Sequence, residues 1–169
     1  RFIQDRFSKN VKRIQSSNTD EENMLNVVLL SEFRRRYAHE LYSTYVKPVI
    51  MFKSQRIDSS NEANQTFNEL IDSLTPQSIQ DFLLRQKQAG NERESETLSM
   101  AHEYYRKNDS ELDQIVRDIK REFAPTRIIN ANDSDRGSGM LEKGQYEALN
   151  SLESPANLYR VIFAVAKLT

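Results

Sequence analysis

Apolar side chains recur every three or four residues along much of this chain, the spacing that places them on one face of an α-helix. The first stripe predicts a helix over residues 21 to 45, with three acidic residues at its positive N-terminal end. Five later segments repeat the spacing, the last of them weakly. The stripes are Leu30, Phe33, Tyr37 and Leu41; Ala63, Phe67, Leu70 and Leu74; Ile79, Phe82 and Leu83; Leu98, Ala101 and Tyr105; Leu112, Ile115, Val116, Ile119 and Phe123; and Tyr146, Leu149 and Leu152.

Boundary residues predict where several of these helices begin and end. Ser59 precedes Glu62 by three residues, as in a capping box. Thr75 followed by a proline predicts an N-cap, and Gly90 predicts the end of that helix. Asp109 is placed to cap the helix that carries the clearest stripe. Residues 1 to 19 have apolar spacings that do not decide between helix and strand.

Three short apolar runs predict β-strands between the helices. They are residues 49 to 52, residues 126 to 130 and residues 159 to 166. The first run has four consecutive apolar residues, which is typical of a strand buried on both faces. Strands that alternate with helices in this way predict an α/β fold: a small parallel sheet flanked by helices, helix-rich and preceded by a helical N-terminal segment.

Composition limits the chemistry that this chain can carry. The chain has 169 residues, enough for one domain with its own core, and it has no cysteine for disulfides or zinc thiolates. The 24 basic and 25 acidic side chains nearly cancel, so any contact with nucleic acid must be local. His39 and His102 are expected on helix surfaces. No signal peptide or membrane span is expected, and a cytoplasmic location is predicted.

Catalytic motifs are not expected from the sequence. None of the four glycines precedes a Lys-Ser or Lys-Thr pair as in a phosphate-binding loop, and the serine-hydrolase elbow is missing. The three arginines at positions 34 to 36 fan around a helix, which favours a solvated flank over a phosphate site. Asp133 and Asp135 fit turn residues better than cation ligands. We therefore predict no catalytic residue and no metal ligand.

One polar stretch does indicate a binding function. Ligands of parallel sheets bind outside the carboxyl ends of the strands, and four polar residues directly follow the first predicted strand. They are Lys53, Ser54, Gln55 and Arg56, whose positive charges and hydrogen-bond donors suit a phosphate backbone. A polar loop that caps the next helix is the alternative, and spacing alone favours it slightly. Thr169 follows the third strand at the same expected edge.

The stretches "KPVIMFKSQRIDSSNEANQTFNELI" and "NLYRVIFAVAKLT" resemble the second RecA-like lobe of superfamily-two helicases. Within that superfamily of DEAD/DEAH-box-like proteins, they look most like the restriction (Res) subunit of type III restriction enzymes. The resemblance implies a helical N-terminal segment at residues 1–46 and a partial second lobe at residues 47–169. Motif IV of the family then falls on residues 49 to 56. Motif V would begin near Thr169, so the chain would end just before the rest of that motif, as a fragment.

The resemblance implies that an intact parent couples ATP hydrolysis to movement along duplex DNA. This chain would hold no cofactor, because the motifs that bind ATP and Mg²⁺ would lie elsewhere in the parent. The implied partners are DNA, bound weakly through its backbone, the first RecA-like lobe, and a modification or specificity subunit. The implied DNA contacts are Lys53, Ser54, Gln55, Arg56 and Thr169. A free-standing α/β interaction or regulatory module is the alternative, and an intact small enzyme is the least favoured.

Overall fold

A three-stranded parallel sheet organises the protein in a computed structural model that describes residues 18–90, 95–131, 143–152 and 154–165. The strands are β1 (Ile50–Ser54), β2 (Ile128–Asn130) and β3 (Val161–Val165), in the order β1-β3-β2. Both outer strands pair with β3 in parallel, and Val161 lies opposite the first residue of each. The sequence prediction of a small parallel sheet is therefore confirmed.

Helices flank this sheet and make up most of the described chain. They are α1 (Asp20–Tyr42), α2 (Ile57–Ser73), α3 (Pro76–Ala89), α4 (Glu96–Lys107), α5 (Leu112–Glu122) and α6 (Lys143–Asn150). The helix-rich α/β class predicted from the alternating pattern is confirmed. None of the described helices is long and apolar enough to cross a membrane. Residues 1–17 and the loop with Asp133 and Asp135 lie outside the described residues.

The core lies where α2 packs on one face of the sheet and against α5. Phe67 of α2 makes edge-to-face contacts with Phe163 of β3 and Phe123 after α5, with ring centroids 5.8 and 6.2 Å apart. Phe52 of β1 stacks on Phe163 at 5.0 Å. Buried residues of α1 belong to the same cluster. The division of the chain between residues 46 and 47 stays a prediction.

The first strand differs from its prediction because it lies at the edge of the sheet. Ile50 is buried, whereas Met51 on the other face is 54% exposed. The prediction that the first strand is buried on both faces was therefore wrong. The central position belongs to β3, where Val161, Ile162 and Phe163 are all buried.

Local signals set some helix ends and not others. Thr75 accepts a hydrogen bond from the backbone of Ser78 at the start of α3, and Gly90 ends that helix with φ 74°, as predicted. The capping box predicted at Ser59 was wrong. Helix α2 begins earlier, at Ile57, directly after the turn that leaves β1. Asp109 does not cap α5 either, because a 3₁₀ turn at Asp109–Glu111 precedes that helix.

A buried ionic network lies at the amino end of the sheet. The guanidinium of Arg160, fully buried just before β3, donates to Glu122 at 2.7 Å, to the Pro48 carbonyl at 3.1 Å and to Ser31 Oγ at 3.1 Å. It also lies 4.9 Å from the ring centroid of Phe123. Burial lowers the pKa of Arg160, partly offset by the charge of Glu122. The network joins α1, the segment before β1, α5 and β3.

The arginines of α1 form a second ionic cluster, which corrects the prediction of a solvated flank. Arg35 and Arg36 both bind Glu32, whose side chain is fully buried, at 2.6 and 2.7 Å. Arg36 also reaches Asp118 of α5 at 2.5 Å, while Arg34 is exposed. The hydrogen bond to Glu32 raises the pKa of Arg35 above its usual range.

The two histidines have different surroundings. His39 is exposed on α1, as predicted. His102 is fully buried, and its Nε2 lies 2.8 Å from Oδ1 of Asn26, so its expected surface position was wrong. Its ring also packs edge-to-face on Phe82 with centroids 5.8 Å apart. In the described ranges, no three His, Cys, Asp or Glu side chains are grouped to hold a metal.

Candidate nucleic-acid interface

The candidate interface is the turn that connects β1 to α2. Lys53 and Ser54 end β1, and Gln55 and Arg56 form the link before α2 begins at Ile57. Because all strand pairs are parallel, this turn lies at the same edge of the sheet as the carboxyl ends of β2 and β3. The structure thus places the four predicted residues at the edge where parallel sheets bind ligands.

The four side chains do not all point in one direction. Successive strand residues face opposite sides of the sheet, so Lys53 lies on the face away from α2 and Ser54 on the face that α2 covers. Lys53, Gln55 and Arg56 are exposed, and Ser54 is half-buried. Thr169 lies outside the described residues. Lys53 and Ser54 therefore point to opposite sides of the sheet, and the exposed Gln55 and Arg56 follow at the corner between β1 and α2.

The cations of this turn are not used for internal pairing. Within the described part of the chain, neither Lys53 nor Arg56 forms an ion pair or a side-chain hydrogen bond. Most other arginines that lie against the core do form such bonds, as Arg35, Arg36 and Arg160 show. Two unpaired exposed cations are free to meet an anion from outside at little desolvation cost.

The first turn of α2 adds backbone donors to this corner. Arg56 occupies the N-cap position, but its side chain makes no capping hydrogen bond. The first N–H groups of a helix have no partner within the helix, and they form the positive end of its dipole. Asp58 in the first turn offsets part of that charge. The alternative was that these polar residues cap α2. It is not supported, because the side chain at the N-cap position makes no hydrogen bond to the helix.

An amide pair that sequence reasoning did not select joins this edge to β2. Asn130, the last residue of β2, donates from Nδ2 to Oδ1 of Asn61 on α2 at 2.8 Å. The sequence could have indicated Asn130, because it ends the second strand. Ligands bind outside the carboxyl ends of parallel strands, and the same rule selected the turn after β1. The pair fixes the first two turns of α2 relative to the carboxyl end of β2. It therefore helps to hold the α2 N-terminus in place.

These features define a class of protein: a helix-rich α/β chain with a parallel sheet and an exposed cationic turn at the carboxyl edge. Over 176 aligned positions, the chain is 25% identical to the probable type III restriction-modification enzyme HindVIP Res subunit of Haemophilus influenzae. The match covers 99% of this chain and 34% of that protein, so the chain spans about a third of the relative's length. No family model and no solved structure matches the chain.

Proposed function

We propose that this chain is part of an ATP-dependent DNA translocase of the type III restriction kind, within its second RecA-like lobe. The observation that carries the proposal is the similarity to a Res subunit along nearly the whole chain. The parallel sheet supports it, because the turn after β1 lies at the carboxyl edge, where parallel sheets commonly bind ligands. The similarity also includes residues before 47, so α1 belongs to the proposed homologous region.

In this proposal the turn contacts the phosphate backbone without reading sequence. Lys53 and Arg56 supply charge, and Ser54 and Gln55 supply hydrogen-bond donors. Thr169 is the fifth proposed contact, and it lies outside the described residues. ATP and Mg²⁺ bind in the longer protein, between a first RecA-like lobe and this one. A modification or specificity subunit supplies the sequence recognition that phosphate contacts lack.

The test measures how salt weakens binding of this chain to a fluorescently labelled duplex. Two phosphate contacts contribute about 1.8 to the slope of log affinity against log salt. We expect the double variant Lys53→Gln with Arg56→Gln to lower the slope by about that amount. The matched control is Arg34→Gln with Lys87→Gln, which removes the same charge from exposed positions on α1 and α3. Equal slopes for the two double variants would refute the assigned contacts.

A second experiment tests the wider proposal in the full-length protein. Ser54→Ala with Arg56→Ala is expected to lower DNA-stimulated ATP hydrolysis while leaving the thermal unfolding midpoint unchanged. The coding sequence around the chain gives an independent check. The proposal expects a phosphate-binding loop upstream and Glu-Gly-Trp-Asp directly after Thr169. A full-length protein without ATPase activity would contradict it.

The alternative function is a protein-interaction module, and one observation favours it. Four large apolar side chains are exposed in or just after the last turn of α1: Leu41, Tyr42, Tyr45 and Val46. Exposed apolar groups that are close in sequence often mark contact surfaces. The salt titration separates the two functions, because an interaction module has no reason to bind DNA in a salt-dependent way.

A further inference from the structure

A groove between α2 and α5 lies apart from the candidate nucleic-acid interface. Its volume is about 360 Å³, and it is open to solvent. The buried residues Ile71 and Phe123 line it together with Ala124 and Pro125. Asn68, the first groove residue of α2, lies eleven residues after Ile57, or about 16 Å along the helix axis. The α2–α5 groove therefore cannot be an extension of the turn at Arg56.

Asn68, one of the residues that line this groove, carries an unsatisfied acceptor. Among the described residues, Oδ1 of Asn68 is the one buried side-chain polar atom without a hydrogen-bond partner. The amide orientation is fixed by Asn64, because Nδ2 of Asn68 donates to the Asn64 carbonyl at 2.9 Å. Flipping the amide would bring two oxygens together. Oδ1 itself is buried, so a ligand N–H group would satisfy it only after the Asn68 amide turned toward the groove.

Two of the three charged residues that line the groove are acidic, and the third is Lys120. Glu69 and Asp72 are the acidic residues, and neither carboxylate has an ion pair among the described residues. The amine of Lys120 donates to the Asp72 backbone carbonyl at 2.6 Å instead. The last turn of α2 contains no basic residue of its own, so its C-terminal dipole adds to the negative field. A ligand for this groove needs an apolar body and a positively charged donor.

We propose that the α2–α5 groove binds an arginine side chain, with its apolar neighbour, from a partner polypeptide. The guanidinium is planar and has five N–H donors, which suit the two carboxylates that line the groove. Its methylene stem and an adjacent leucine cover Ile71 and Phe123. This inference does not depend on DNA binding or ATP hydrolysis.

The test titrates the ¹⁵N-labelled chain with acetyl-Leu-Arg-amide and follows backbone amide shifts by NMR. We expect saturable shifts confined to residues 68–72 and 120–125. The matched peptide with citrulline keeps the shape and loses the charge, and it should bind about fivefold more weakly, the effect of one solvent-screened ion pair. The matched peptide with glutamate should not saturate.

Variants connect the binding to the groove. Asp72→Asn should weaken the arginine peptide about fivefold and leave the citrulline peptide unchanged. Asp113→Asn removes an exposed carboxylate from the first turn of α5, and it should change neither affinity. Absence of saturable shifts at the groove, or equal binding of the arginine and citrulline peptides, would overturn the proposal. Neither result would bear on the DNA titration.

Discussion

Replacing Arg160 by methionine tests whether the buried network holds the sheet and helices together. The substitution keeps an unbranched apolar side chain against Phe123 and removes the guanidinium. Three hydrogen bonds are lost, to Glu122, the Pro48 carbonyl and Ser31. Removing one member of a buried ion pair costs about 3–5 kcal/mol, because the other charge stays buried.

The structure places the expected cost at the lower end of that range. Glu122 keeps Arg127 at 3.1 Å and Arg121 at 3.6 Å, so its charge is not left alone. The Pro48 carbonyl keeps the hydroxyl of Ser31 as a donor at 3.4 Å. We therefore expect a loss of about 3 kcal/mol in the free energy of unfolding, a large part of the about 5–15 kcal/mol typical of a domain.

Urea unfolding followed by circular dichroism measures this loss. The midpoint should fall with the slope unchanged, and the melting temperature should fall by about 6–12 °C. Arg127→Met is the matched control, because it removes one partly exposed partner of the same carboxylate and should cost at most about 1 kcal/mol. A loss below about 1 kcal/mol for Arg160→Met, or equal losses for both variants, would refute the reasoning.

Substitutions at three further positions test separate features of the fold. His102→Leu leaves the buried Oδ1 of Asn26 without its imidazole partner, so thermal unfolding should show a loss of about 1–3 kcal/mol, and an unchanged midpoint would contradict the pairing. Burial, followed by the bond to Glu40, raises the pKa of Tyr104, so the unfolded chain releases this proton at lower pH than the folded chain. The stability from that bond is complete below about pH 10 and is lost as pH rises further, so Tyr104→Phe should flatten the decline in unfolding free energy measured at alkaline pH; parallel curves would contradict it. Gly90→Ala should lower the free energy of unfolding, measured in urea, by about 1 kcal/mol. The cost comes from left-handed backbone strain alone, because an added Cβ meets no atom within 4 Å. Gly90→Asn should cost less, because asparagine adopts this conformation more readily.

Sequence patterns predicted the features that depend on neighbouring residues. The start and end of α3 follow from Thr75 and Gly90, whose effects act within one helical turn. The strand-then-helix order around residues 50 to 73 was enough to place Lys53 to Arg56 at the carboxyl edge. The start of α2 was missed because the geometry of leaving β1, rather than a side-chain cap, sets it at Ile57.

Long-range pairing explains what the sequence did not predict. Arg36 binds Asp118, which is 82 residues away in the sequence, and Arg160 binds Ser31, which is 129 residues away. No local spacing distinguishes such an arginine from a solvated one. The same holds for His102, whose partner Asn26 is 76 residues away. The direction of Lys53, away from the α2 side, likewise depends on strand register rather than on the identity of its neighbours.

Cationic side chains at the two ends of the sheet have different environments. At the amino end, Arg160 is buried, and its charge is balanced by Glu122. In the folded protein its guanidinium is already desolvated and ion-paired, so it is not available to bind an external anion. At the carboxyl end, Lys53 and Arg56 are exposed without an ion-pair partner in the described chain, so the fold has left their charge available. Strand β3 runs from the amino end of the sheet to the carboxyl end. The buried network therefore fixes the strand that pairs with β1, and these cations lie at the end of β1 and in the turn after it. Stability should therefore respond to Arg160, and the DNA affinity that we propose should respond to Lys53 and Arg56.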